Sequence, residues 1–108
     1  MTKAIFKFDN NLFKSLELSG HSGYQDAGSD IVCSAISTAV FTSINLIDKK
    51  CGNESYRLTQ KEDQGYLFFE MINTSEIEFV NLVIDNLIDM LSDIEKDYNK
   101  FLQVKIRK

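Results

Sequence analysis

The only histidine of the chain, His21, stands twelve residues before Cys33, and the segment that joins them carries Gly23 and Gly28 and follows Gly20. Glycines permit backbone geometry closed to other residues, so a loop of this composition can fold a histidine back onto a thiol. An apolar helix opens near the cysteine. A helix N-terminus favours the thiolate through its free N–H groups and its dipole, and an adjacent imidazole favours it further. The chemistry this spacing suits is nucleophilic attack by Cys33 with His21 as the base. Free N–H groups near Ser34 offer an oxyanion hole for acyl transfer.

Each of these residues also has a plainer reading. A cysteine at the start of a core helix is often just a small buried hydrophobe, and a turn histidine can be satisfied by backbone groups. The pair decides for chemistry: sole histidine, nearby thiol, helix start, glycines between. Asp30 either caps the helix or orients His21 as a third member. Ser34 lies outward on the helical projection and has no base of its own. Ser37, one turn beyond Cys33, can hydrogen-bond within the site or to its own backbone. Tyr24 in the loop could meet a substrate aromatic or simply pack. Cys51, beside Gly52, has no base near it and reads as a bystander. The glycines form no phosphate loop, because no Gly-Lys-Ser/Thr follows them.

The elements that must position these residues follow from periodicity. Ala4 to Asp9 and Leu12 to Ser19 alternate with period two around Asn10-Asn11, a tight-turn pair, and read as a hairpin. Ala4, Phe6 and Phe8 share one face of the first strand. In the second, Leu12, Leu16 and Leu18 are expected opposite Phe13, Ser15, Glu17 and Ser19. From about Asp30 to Asp48 apolar residues cover most of a helical projection, so this helix should be largely buried. Its apolar arc centres near Val32, Ala39 and Ser43 with Cys33 at the margin, which puts the thiol where core meets solvent. Ser55 to Lys61 and Gly65 to Asn73 form a second hairpin around Glu62 to Gly65. Ser75 and Glu78 read as a capping box opening an amphipathic helix that runs to about Asp97. Its acidic residues, Glu76, Glu78, Asp85, Asp89, Asp93, Glu95 and Asp97, read as a solvated face. Leu102, Val104 and Ile106 alternate with Gln103, Lys105 and Arg107 in a closing strand. The order ββαββαβ predicts one α+β domain over residues 1–108, a mixed, mostly antiparallel sheet with two helices on one face.

Composition bounds the function. With 44 % apolar, 11 % aromatic and 26 % charged residues among 108, the chain has the make-up of a packed globular domain. Sixteen acidic against twelve basic side chains give a net charge of −4, which lacks the footprint of a nucleic-acid binder. No direct nucleic-acid contact is expected. One histidine and two scattered cysteines make a poor zinc set, so neither metal nor cofactor is expected. Two cysteines without disulfide-scaffold density point to a reducing compartment. The first residues carry charges where a signal peptide needs an apolar run, and no stretch is expected to approach the roughly 20 apolar residues of a membrane span. These features together predict a cytoplasmic protein without a membrane partner.

At the chemistry-bearing segment the chain resembles a known family. Gly20-His21-Ser22-Gly23-Tyr24, then Gly28, then Asp30-Ile31-Val32-Cys33-Ser34-Ala35, ending at Ser37, is similar to the signature of the Prp (YsxB-like) family of ribosomal-processing cysteine proteases. The likeness extends over the whole chain in length and element order. It implies removal of a short N-terminal extension from a large-subunit ribosomal protein precursor, by cleavage after an aromatic pair. It implies that His21 and Cys33 are catalytic, that Gly20, Asp30 and Ser37 support them, and that the loop between His21 and Cys33 is mobile over the site. It also implies a homodimer. Ser22 and Ser34 stand where alanine is common in the family. The competing readings are a non-enzymatic interaction module, such as a ribosome-assembly factor, and a redox sensor built from Cys33 and Cys51.

Overall fold

The computed structural model describes residues 1–20 and 27–108, with backbone alone for 27–30. Strands β1 (Thr2–Asp9) and β2 (Leu12–Ser19) form the first hairpin, followed by helix α1 (Ala27–Cys51). Strands β3 (Tyr56–Lys61) and β4 (Tyr66–Met71) form the second, then come helix α2 (Ile77–Asp97) and strand β5 (Leu102–Arg107). The sheet runs β3-β4-β2-β1-β5. Only the β1–β5 pairing is parallel; the other three are antiparallel. This is the mixed, mostly antiparallel α+β sheet that the sequence predicts.

Both turns follow from residue type. Asn10 and Asn11 take φ of 52° and 64°, the left-handed pair that a two-residue hairpin turn needs and that asparagine tolerates. The second hairpin turns through a single 3-10 turn, Glu62–Gln64, closed by Gly65 at φ 60°.

One face of the sheet and both helices share the core. Ala4, Phe6, Leu16, Leu67, Phe69 and Leu102 pack beneath Val32, Ile36, Val40 and Ile47 of α1 and Val80, Ile84, Leu87 and Leu91 of α2. Two bonds fix where the helices lie. The Tyr56 hydroxyl donates to Asp48 at 2.7 Å, tying α1 to the β3 side, and the Val104 N–H donates to Glu95 at 2.8 Å, tying α2 to the β5 side. Glu95 thus leaves the expected solvated acidic face and satisfies a backbone group of the edge strand, while Glu78, Asp85, Asp89, Asp93 and Asp97 are exposed.

Four expectations need correction. The register of β1 against β2 slips between Phe8↔Phe13 and Lys7↔Ser15, a β-bulge in which Lys14 is the extra residue. The bulge reverses the alternation, so Phe13 joins Phe8 and Leu16 on the core face, buried against Phe69 with ring centroids 6.1 Å apart. Asn81 of α2 clamps this hairpin, accepting from the Phe13 N–H at 3.2 Å and donating to the Asn11 carbonyl at 3.3 Å. The capping box does not form. Helix α2 opens after Glu76, whose N–H donates to the Thr74 hydroxyl at 2.9 Å.

Helix α1 starts at Ala27, so Gly28 and Asp30 are helical residues rather than loop and N-cap. Finally, Ile31–Cys51 is long and apolar enough, by length and composition, to cross a membrane, contrary to the expectation that no stretch comes near. Its apolar girth has a packing cause. The helix packs against both the sheet and the neighbouring α2, and Val32, Ile36, Ala39, Val40, Ile44 and Ile47 are all buried there.

Candidate active site

Cys33 lies on the margin of the buried stripe of α1, one position after Val32 and three before Ile36, and its side chain is exposed. Four residues on, Ser37 falls on the same side of the helix. Both line a cleft of about 300 Å³ between the N-terminal half of α1 and the sheet. Its floor is apolar: Leu18 of β2, Leu67 of β4, and Ile36, Val40 and Phe41 of α1. The far wall is the turn of the second hairpin, with Gln60, Glu62, Gly65 and Tyr66. Thr2 and Gly20 close the remaining side.

Gly20 has a specific reason to be glycine. Its φ is +91°, and a Cβ there would collide with the backbone oxygen of Met1. Its carbonyl accepts from the Thr2 hydroxyl at 3.4 Å. A side chain could be accommodated only by moving the strand end that leads into residue 21.

Two of these wall residues have side-chain partners, Gln60 within the wall and Tyr66 on the opposite face of the sheet, where it meets Glu17. The Tyr66 hydroxyl donates to Glu17 at 3.0 Å, and lost hydration, then this bond and the Glu17 charge, push its phenol above the usual value of 10.0. The Gln60 amide donates to Glu62 at 3.4 Å.

Cys33, Ser37 and Gly20 are therefore brought together. Ser34 is exposed and does not line the cleft. His21, Ser22, Gly23 and Tyr24, and with them the part of the expected closing loop before Ala27, lie outside the described residues, as does the side chain of Asp30; the rest of that loop is the start of α1. The helix start falls earlier than expected, which changes two premises. Cys33 is the seventh residue of α1, beyond the first turn to which the dipole effect is confined. The N–H groups left without an intrahelical partner are those of residues 27–29 rather than of Ser34, because from the fourth residue on a regular helix bonds each N–H to the carbonyl four residues back.

Both cysteines are thiols, and Cys51 is half-buried against the core. They are eighteen residues apart in one continuous helix, about 27 Å along its axis. A disulfide spans less than about 7 Å between Cα atoms, so the redox pairing of Cys33 with Cys51 within one chain is ruled out. Among the described residues there is no cluster of metal-ligating side chains. Sequence reasoning missed the cleft's far wall, since Gln60, Glu62 and Tyr66 carry no local signal; only strand pairing places them opposite α1.

An exposed thiol beside an apolar, side-chain-sized cleft on an α+β scaffold is suited to a cysteine hydrolase acting on peptide-like substrates. Residues 1–103 match the family cysteine protease Prp, and the chain belongs to that family. It is 33 % identical over 93 residues to the ribosomal processing cysteine protease Prp of Bacillus subtilis, covering 83 % of this chain and 82 % of that one. The Staphylococcus aureus protein of the same name is 26 % identical over 92 residues, covering 83 % of each. Among solved structures, Streptococcus mutans SMU.848 superposes with a TM-score of 0.84 at 27 % identity, covering 99 % of this chain and 94 % of that one. The essential ribosomal processing protease Prp from S. aureus, in complex with a covalently linked product peptide, superposes with a TM-score of 0.81 at 22 % identity. That match covers 99 % and 100 % of the two chains and shows the shared fold.

Proposed function

We propose that this protein is a cysteine endopeptidase that removes the N-terminal extension of a large-subunit ribosomal protein precursor, cleaving after an aromatic pair with a Cys33–His21 dyad. The observation that carries the reading is the exposed Cys33 thiol on the wall of an apolar cleft. Family membership and the processing protease of B. subtilis support the substrate class. The floor of Leu18, Ile36, Val40, Phe41 and Leu67 is apolar, as a site for aromatic side chains must be. Gly20, which lines the same cleft, precedes His21 by one peptide bond.

In the mechanism, His21 takes the thiol proton of Cys33 and the thiolate attacks the scissile carbonyl. The C–N bond breaks as His21 protonates the leaving amine, leaving a thioester. Water, deprotonated by His21, then hydrolyses the thioester and restores the thiol. Helical side chains lean toward the N-terminus, so the thiol of Cys33 leans toward the first turn, whose residues 27–29 have N–H groups without an intrahelical partner. These are the donors available to the oxyanion. The enzyme works in the cytoplasm as a homodimer, the state that the family resemblance implies.

Mass spectrometry of the precursor incubated with wild type or with Cys33→Ala tests the proposal. The expected result is a shortened ribosomal protein with wild type alone. Equal shortening by both, or an intact precursor with both, overturns it.

A further inference from the structure

The pairing register fixes which side chains share the sheet face turned away from the helices. Arg57, Glu70, Ser15, Lys7 and Arg107 form one cross-strand row. Two residues along each strand on the same face, about 7 Å away, Thr59, Phe68, Glu17, Ile5 and Lys105 form a second. The third row is Lys61, Tyr66, Ser19, Lys3 and Gln103. Half of the chain's twelve basic residues therefore lie on this face, against two of its sixteen acidic ones.

Both carboxylates are engaged: Glu70 pairs with Arg57 at 3.2 Å, and Glu17 accepts from the Tyr66 hydroxyl at 3.0 Å. The ion pairs among the described residues are Arg57–Glu70 and Lys96–Asp93, so Lys3, Lys7, Lys105 and Arg107 belong to none. Lys7 and Arg107 are direct cross-strand neighbours, a like-charge pairing that costs stability unless an anion lies between. Across β2 from this basic β1–β5 border, β4 presents Phe68 and Tyr66 at two-residue spacing on the same face, both half-buried.

We propose that this open face binds single-stranded RNA, with bases stacked on Phe68 and Tyr66 and phosphates on Lys3, Lys7, Lys105 and Arg107. A sheet with aromatic residues on an inner strand and cations along one border can hold unstacked bases on the rings and phosphates on the cations. The aromatics select a single strand, whose bases are free to stack, over a duplex or an acidic peptide. The net charge of −4 argued against such a partner only because it averages over two unlike faces. The exposed carboxylates of α2 lie on the other side of the molecule.

Fluorescence anisotropy of a labelled twelve-nucleotide oligouridine, titrated with the full chain at several salt concentrations, tests this independently of the proposed peptidase activity. Wild type should bind at about 50 mM salt, with affinity falling linearly in log salt. The triple variant Lys7→Gln, Lys105→Gln, Arg107→Gln should lower that slope by about 2. Phe68→Leu, which keeps an apolar residue on the face, should weaken binding about tenfold and leave the slope unchanged. Circular dichroism of each variant confirms the fold. Absence of wild-type binding, an unchanged slope in the triple variant, or unchanged affinity in Phe68→Leu each overturns the proposal. Equal displacement of the oligonucleotide by polyglutamate and by unlabelled oligouridine also overturns it, in favour of an acidic-peptide surface.

Discussion

The two ends of α1 carry one cysteine each and use it differently. At the N-terminal end Cys33 is exposed on a cleft whose other walls come from β2, β4 and the second hairpin turn. At the C-terminal end Cys51 is half-buried against the core, the chain leaves through Gly52 at φ +86°, and Asp48 holds the Tyr56 hydroxyl. One end leaves a thiol accessible beside space for a ligand; the other fills its space and anchors helix to sheet. A cysteine's place against its neighbours, rather than its residue type, separates a reactive thiol from a packing one.

Exchanging the effects of the two cysteines would break that contrast. Cys33→Ala should lower precursor cleavage by at least about 10³-fold, since removing a nucleophile disables the unit it acts in. Its thermal stability should stay within about 0.5 kcal/mol of wild type, as for other surface substitutions. Cys51→Ala should do the reverse, retaining cleavage while costing up to about 1 kcal/mol through lost packing. Product mass spectrometry and thermal melts on both variants provide the check, and a Cys51→Ala protein without activity would defeat the comparison.

Gly20→Ala sharpens it from the strand side. The added Cβ meets the Met1 carbonyl oxygen at a positive φ, so stability should fall by about 2 kcal/mol. Cleavage measured well below the melting transition should fall too, because the displaced strand end leads into His21. A Gly20→Ala enzyme with wild-type turnover would show that the strand end need not be fixed.

Brief alkylation near neutral pH followed by peptide mapping reads the contrast without any substrate. Cys33 should be modified about tenfold or more faster than Cys51, from its exposure and from the base that the proposed dyad assigns to His21. His21→Ala should slow the modification of Cys33 alone. Preferential labelling of Cys51 would reverse the assignment of the two ends.

The smallest expected effect concerns the anchoring end. The hydrogen bond to Asp48, then burial and the Asp48 charge, push the Tyr56 phenol above its usual 10.0. The bond needs the protonated phenol. Its contribution is therefore complete below pH 10 and is lost as pH rises through the higher folded value. Tyr56→Phe should cost about 1 kcal/mol at neutral pH and flatten the loss of stability above pH 10, as read from denaturant midpoints across that range. Cleavage at neutral pH should change little.

Much of the scaffold was legible in the chain. Alternation in Ala4, Phe6 and Phe8 and the three-and-four spacing of Val80, Ile84, Leu87 and Leu91 report directly on which face is buried, because each element repeats its side-chain directions with a fixed period. The helical projection likewise set Cys33 at the edge of the core, where the structure has it. The bulge at Lys14 was not legible, since an extra residue reverses the alternation without any marker in composition. Nor was the start of α1 at Ala27, where Gly28 argued for loop.

By itself, then, the sequence determined the elements, the exposed setting of Cys33 and, through the segment from Gly20 to Ser37, the family. These are properties of residues near one another in the chain. Tertiary structure alone decided what faces the thiol and what covers the sheet. Gln60, Glu62 and Gly65 reach the cleft of Cys33, and Lys7, Arg107 and Arg57 reach one cross-strand row, only through strand pairing. Pairing register joins residues dozens of positions apart, and no local period records it. For the same reason net charge, a sum over the whole chain, cannot reveal that opposite charges have been sorted to opposite faces.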